Sequence, residues 1–205
     1  MRLHPISFFL AAIVCLLLSP LAALACACCA NPGIYYNDTV DLDDYRLSQL
    51  KRMRFLRTAS LYLTEADIEE DAFGITQPKE SYSLQAAFAG DIWRLTFRSG
   101  SSAGSLALPL PRKIGSYAAD IHDGKPSPGG GPLLYKEWRL EGDIKGTGFF
   151  ANGTVAPAKY LLVLQGRGNG CDNAEDFGHW RLEVYGQKAH YAFYGRLGRP
   201  AAAQE

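Results

Sequence analysis

Charge of one sign is what this sequence lacks first: its 205 residues carry 21 Lys and Arg against 21 Asp and Glu. Nucleic acids and anionic bilayers are bound through an excess of cations that displaces counterions, so a balanced chain with no evident positive stripe speaks against either as a main partner. Long apolar runs are scarce too. After Leu18 none approaches the roughly 20 residues that cross a bilayer, which predicts no transmembrane segment beyond that point. No Gly-x-Ser-x-Gly elbow marks a nucleophile. The redox arrangement of a Cys-x-x-Cys pair leading into a helix is missing as well: Cys26 and Cys29 have the spacing, but Asn31-Pro32-Gly33 follows them. With no nucleophile, base and orienting group to name together, the chain does not read as an enzyme.

What is present begins with an address. Ile6 to Leu18 form an apolar run behind Arg2, Pro20 closes it, and Ala23 and Ala25 place small side chains at the minus-three and minus-one positions of a signal peptidase site. This predicts a cleaved signal peptide over residues 1–25 and a periplasmic or secreted protein. The remaining 180 of the 205 residues suffice for one domain, and losing Arg2 leaves 20 basic against 21 acidic residues. A lipid anchor at Cys26 is disfavoured, because lipoproteins carry Leu at minus three and a small residue at minus two, whereas Ala23 and Leu24 stand in the opposite order.

Three parts are expected after the leader: a Cys-rich segment and helix over 26–57, a β-rich domain over 58–197, and a flexible tail over 198–205. Leu42, Tyr45, Leu50 and Met53 recur at steps of three to five, with Asp41, Asp43 and Asp44 ahead of Lys51, Arg52 and Arg54. That pattern predicts one amphipathic helix within 31–57, its ends matched to the helix dipole. Thr64 and Asp67 resemble a capping box opening a short acidic turn.

Beyond it the apolar period becomes two: Ala59, Leu61, Leu63; then Tyr82, Leu84, Ala86, Phe88; then, past a Gly90-Asp91 turn, Trp93, Leu95, Phe97. Leu106, Leu108 and Leu110 form a strand that Pro109 and Pro111 consign to an edge. Further strands are expected near 133–141, 144–151, 158–165, 179–185 and 189–197. The stretch from Ala158 to Gln165 is apolar on both faces, as a central covered strand would be. The predicted fold class is all-β: an antiparallel β-barrel or β-sandwich of about eight strands with an N-terminal amphipathic helix. All three tryptophans lie in one tripeptide, Trp93-Arg94-Leu95, Trp138-Arg139-Leu140 and Trp180-Arg181-Leu182, which puts the rings in the core and the arginines in water.

The candidate chemistry is sulfur. Cys26, Cys28, Cys29 and Cys171 remain after the leader, and an exported protein with four cysteines first suggests disulfides. Of three pairings, one needs a bond between the adjacent Cys28 and Cys29, whose Cα atoms lie about 3.8 Å apart, below the usual disulfide range. The others join Cys171 to Cys28 or Cys29 and leave either a strained bridge from Cys26 or two thiols. The alternative is a thiolate metal site in which Cys26, Cys28, Cys29 and Cys171, with His179, hold copper(I) or zinc, the ions that thiolate softness selects.

Asp172, Asn173, Glu175 and Asp176 crowd one polar loop, but Ala174 and Phe177 break the order of a calcium loop, so a solvated hairpin is expected there. Asp120 and His122 lack a nucleophile and read as a surface turn. The functional expectation is therefore an exported β-rich protein with a non-enzymatic binding or scaffold role, stapled through Cys171, whose partner is a protein or a small molecule of unknown identity. The alternative is a thiolate metal-handling protein.

Overall fold

The computed structural model describes residues 30–122 and 131–201; Cys26, Cys28, Cys29, the expected leader and the end of the expected tail lie outside them. The described chain is all-β, a single antiparallel sheet of eleven strands with two short helices. The strands are β1 (Tyr35–Asp41), β2 (Arg54–Leu61), β3 (Ser81–Ala89), β4 (Ile92–Ser99), β5 (Ser102–Pro109), β6 (Lys113–Asp120), β7 (Leu134–Asp143), β8 (Lys145–Gly148), β9 (Ala158–Gly168), β10 (Phe177–Gly186) and β11 (Ala189–Gly198). The helices are α1 (Asp44–Arg52) and α2 (Ile68–Asp71).

The strand order is β1-β6-β7-β9-β10-β11-β2-β3-β4-β5-β8, so the ladder is open and ends on β1 and β8. Its ends are nevertheless tied. Strand β8 follows β7 after one buried residue, Ile144; β7 pairs with β6 and β9, while β8 pairs with β5 at the far end of the order. A continuous stretch of chain thus spans distant parts of the ladder, and the twisted sheet curls round on itself.

Eleven strands replace the expected eight or so, and β1 and β6 are the two that alternation does not yield. In β1 the β-prone Tyr35, Tyr36, Thr39 and Val40 are interrupted by Asn37, Asp38 and Asp41. In β6 the inward positions are Ile114, Ser116 and Ala118, too small to register as an apolar stripe. The expected helix shrinks to Asp44–Arg52 and a strand flanks it on each side. Asp43 caps it by accepting a hydrogen bond from the Arg46 amide at 2.8 Å, and Met53 leaves it with an extended ψ of 137°. Asp44 in the first turn and Lys51 and Arg52 in the last keep the dipole-matched ends.

Two aromatic belts fill the curl. Phe55 bridges Trp93 and Trp180 at ring separations of 5.0 and 5.1 Å, with Phe88 stacked on Trp93 at 4.6 Å. At the other level Tyr82, Phe97, Phe150, Tyr191 and Phe193 make a second cluster. All three tryptophans are 1% exposed, as their place in the repeated tripeptide predicts. Gly195 permits this, since a Cβ there would sit 2.7 Å from the Trp180 ring.

Strand β9 is central, between β7 and β10, as its two-sided apolarity predicts. On its outer face Val163, 5% exposed, lies in register between Arg139 and Arg181. Pro109 is tolerated because β8 accompanies β5 only from Gly104 to Ala107, leaving the last residues of β5 with no partner to serve on that side.

Candidate functional site

The polar loop before β10 is a closure of the sheet end, not a solvated hairpin. Helix α1 packs against it, and each of its polar side chains has a partner. Arg46 Nε donates to Asp172 at 2.9 Å, the Tyr45 hydroxyl donates to Asn173 at 3.1 Å, and Arg52 pairs with Glu175. Gln49 accepts a hydrogen bond from the Ala174 amide at 3.0 Å. The innermost pair is Lys136 and Asp176, with Nζ and Oδ2 2.8 Å apart and side chains 2% and 12% exposed. The same ammonium donates to the Cys171 carbonyl and lies 5.8 Å from the centre of the Phe177 ring.

Room for Asp176 comes from β9: a Cβ on Gly168 would fall 2.0 Å from its carboxyl carbon, and one on Gly166 would overlap its backbone carbonyl. Burial raises the Asp176 carboxyl above its ordinary value, and Lys136 offsets only part of that. The acids that resemble calcium ligands in sequence are therefore spent on cations.

A second network lies on the outer face of β7. Glu137, 8% exposed, accepts from the Tyr135 hydroxyl, from Gln165 at 3.1 Å, and from Arg139 at 2.8 Å. Burial alone would raise this carboxyl, but the donors from Tyr135, Gln165 and Arg139 outweigh it and hold it below the ordinary carboxylate value. Tyr135 is pushed up to about 12 by burial and by its bond to the carboxylate. The Arg139 guanidinium also sits 5.6 Å from the Tyr117 ring centre. Arg139 is thus a structural strut where a merely solvated residue is expected.

The residues expected to carry sulfur chemistry divide. Cys26, Cys28 and Cys29 fall outside the described residues. Cys171 sits in the closing loop and is not a free thiol. His179 is exposed on the outer face of β10, opposite Gln165 and Arg196, whereas the Cys171 carbonyl turns to Lys136. Among the described residues no group of three or more His, Cys, Asp or Glu gathers in metal-holding geometry. Asp120 accepts from the Gly33 amide at 2.8 Å and from the His122 amide at 2.9 Å, so it anchors the start of the described chain, with His122 exposed beside it.

A feature that can hold a ligand lies elsewhere, where the sheet splits. Strands β2 and β3 pair only from Thr58–Ser83 to Ser60–Ser81; Arg54 and Phe55 stay on β11, with Leu56 and Arg57 in a register shift, Leu84 to Ala89 stay on β4, and the two strands part. The resulting cleft has a volume of about 580 Å³ and a floor of Phe55, Phe88 and Trp93. Lys51, Arg54, Arg57 and Arg98 line it, and none of the four forms an ion pair among the described residues. No acid, histidine or cysteine is among its lining residues. A positive cluster therefore exists despite the neutral total, and the expectation of no positive stripe is corrected at this point.

A run of Lys51-Arg52-Met53-Arg54-Phe55-Leu56-Arg57 is visible in the sequence, but read as the basic end of a long helix it looks spent on the dipole. Lys136 is also detectable, as the one charged side chain at the inward parity of Leu134, Trp138 and Leu140. No protein-family model matches this chain, and neither curated proteins nor solved structures show a match to it. No helix among the described residues is long and apolar enough to cross a membrane.

Proposed function

We propose that this chain is an exported, periplasmic or secreted, β-rich protein with a non-enzymatic binding role, that its ligand site is the cleft between β2 and β3, and that the ligand is anionic. The observation that carries the reading is the set of unpaired cations around an aromatic floor. Four like charges gathered around one opening, with no acid among its lining residues, attract an anion. Binding is favoured over catalysis because the cleft offers charge and ring surface without a nucleophile or base beside them.

The closing loop supplies the frame, stapled by a disulfide from Cys171 to Cys28 or Cys29. Supporting this, Cys171 is not a free thiol. The backbone of Ala30, next after Cys29, touches Gly131, where a Cβ would stand 2.8 Å from the Ala30 carbonyl oxygen. Leu134, three residues on, pairs with Gly168, three residues before Cys171. Ala30 and Gly168, described residues on the approach to the two cysteine positions, are thus linked through the short stretch from Gly131 to Leu134.

Anilinonaphthalene sulfonate, an aromatic anion, tests the site. Saturable fluorescence enhancement is expected with the folded chain, weakened about tenfold by Arg57→Glu with Arg98→Glu and by high salt. Equal binding to the parent and the charge-reversed protein would place the site elsewhere and overturn the reading.

A further inference from the structure

Resting on that reading of the cleft, we propose that its natural occupant is an extended acidic peptide segment, added as a strand along the open edge of β3. On the β2 side, β3 has no backbone partner among the described residues from Leu84 to Ala89, while its other side is fully paired to β4. In an extended strand every second residue turns its N–H and C=O to a given side, so this edge presents a row of donors and acceptors at the wall of the cleft. A strand can satisfy such a row; a small anion or a lipid tail cannot.

The composition of the edge points the same way. Sheets normally blunt an open edge with charge or proline on the edge strand itself. Here Leu84-Gln85-Ala86-Ala87-Phe88-Ala89 carries neither, and the cations stand on the neighbouring elements, facing whatever enters. An entering strand has two faces. One would meet Phe55, Phe88 and Trp93, and the other would meet Arg98, with Lys51, Arg54 and Arg57 around the opening, so the chemistry selected is alternation of apolar and acidic side chains over about six residues, roughly 20 Å. A nucleic acid shares the charge but has no backbone donors and acceptors at strand spacing.

A labelled peptide of alternating glutamate and valine, followed by fluorescence anisotropy, is the probe. Saturable binding is expected, and methylation of alternate peptide nitrogens should weaken it about tenfold or more by removing the donors that face β3. At saturation, amide exchange between Leu84 and Ala89 should slow at alternate residues. If the methylated peptide binds as well as the parent, or a single-stranded oligonucleotide of equal charge binds as tightly, strand addition is overturned while an anionic site survives. If neither the peptide nor anilinonaphthalene sulfonate binds, both readings fall.

Discussion

The two sides of the α1–β2 junction treat charge in opposite ways. Just before it, α1 sends Arg46 to Asp172 and Arg52 to Glu175, and behind them Lys136 meets Asp176 within the sheet end. On the other side Lys51, Arg54 and Arg57, with Arg98 from β4, form no ion pair among the described residues. The same basic run thus serves a closure on one side and a cleft on the other. Paired and desolvated charges fix a shape, and their removal is costly; unpaired charges over an opening contribute little to the fold and remain available to a ligand. The difference assigns stability to the loop end and binding to the split.

The comparison breaks most readily at the proposed staple. A bond from Cys171 to Cys28 or Cys29 closes a loop of more than 140 residues, and on the chain-entropy model it stabilises by about 5 kcal/mol, less any strain. Reduced and alkylated protein should therefore unfold at much lower urea than the oxidised form. Full alkylation of every thiol without reductant, in protein expressed into an oxidising compartment, would rule out the staple.

Lys136→Ala comes next. It leaves Asp176 buried without its cation and unties the Cys171 carbonyl, for a loss of about 3–5 kcal/mol. Replacing both partners, Lys136→Met with Asp176→Leu, should recover most of that loss, because the expense lies in stranding one charge. Urea midpoints for the single and double variants decide the matter: equal destabilisation would mean that the ion pair is not what closes this end.

How much of this is legible in the sequence depends on whether a residue's role is local. The strands around Tyr82–Phe88, Trp93–Phe97 and Ala158–Gln165 follow from alternation, and the burial of all three tryptophans follows from their inward parity. Strand β1 is hidden because helical spacing from Leu42 onward overlaps its polar end, and β6 because Gly115, Ser116 and Ala118 give no apolar signal. The acids of the 172–176 loop look like a solvated cluster because their cations come from Arg46, Arg52 and Lys136, which lie 126, 123 and 40 positions away. The cleft is the least legible feature. It arises where two strands fail to pair, and a missing ladder leaves no periodicity to read.

The smallest expected effect is the sharpest discriminator. Arg57→Glu with Arg98→Glu removes no described ion pair, and both side chains belong to exposed residues, so the fold should change in stability by no more than about 0.5 kcal/mol. Any shift should be toward greater stability at low salt, since four neighbouring cations repel one another and two would now attract the others. The same substitutions are expected to cost the anionic probe about tenfold in affinity. An unchanged urea midpoint with lost binding separates the split from the closed end in a single protein. A drop in stability of more than about 1 kcal/mol would instead make these arginines part of the scaffold, and the contrast across the α1–β2 junction would be gone.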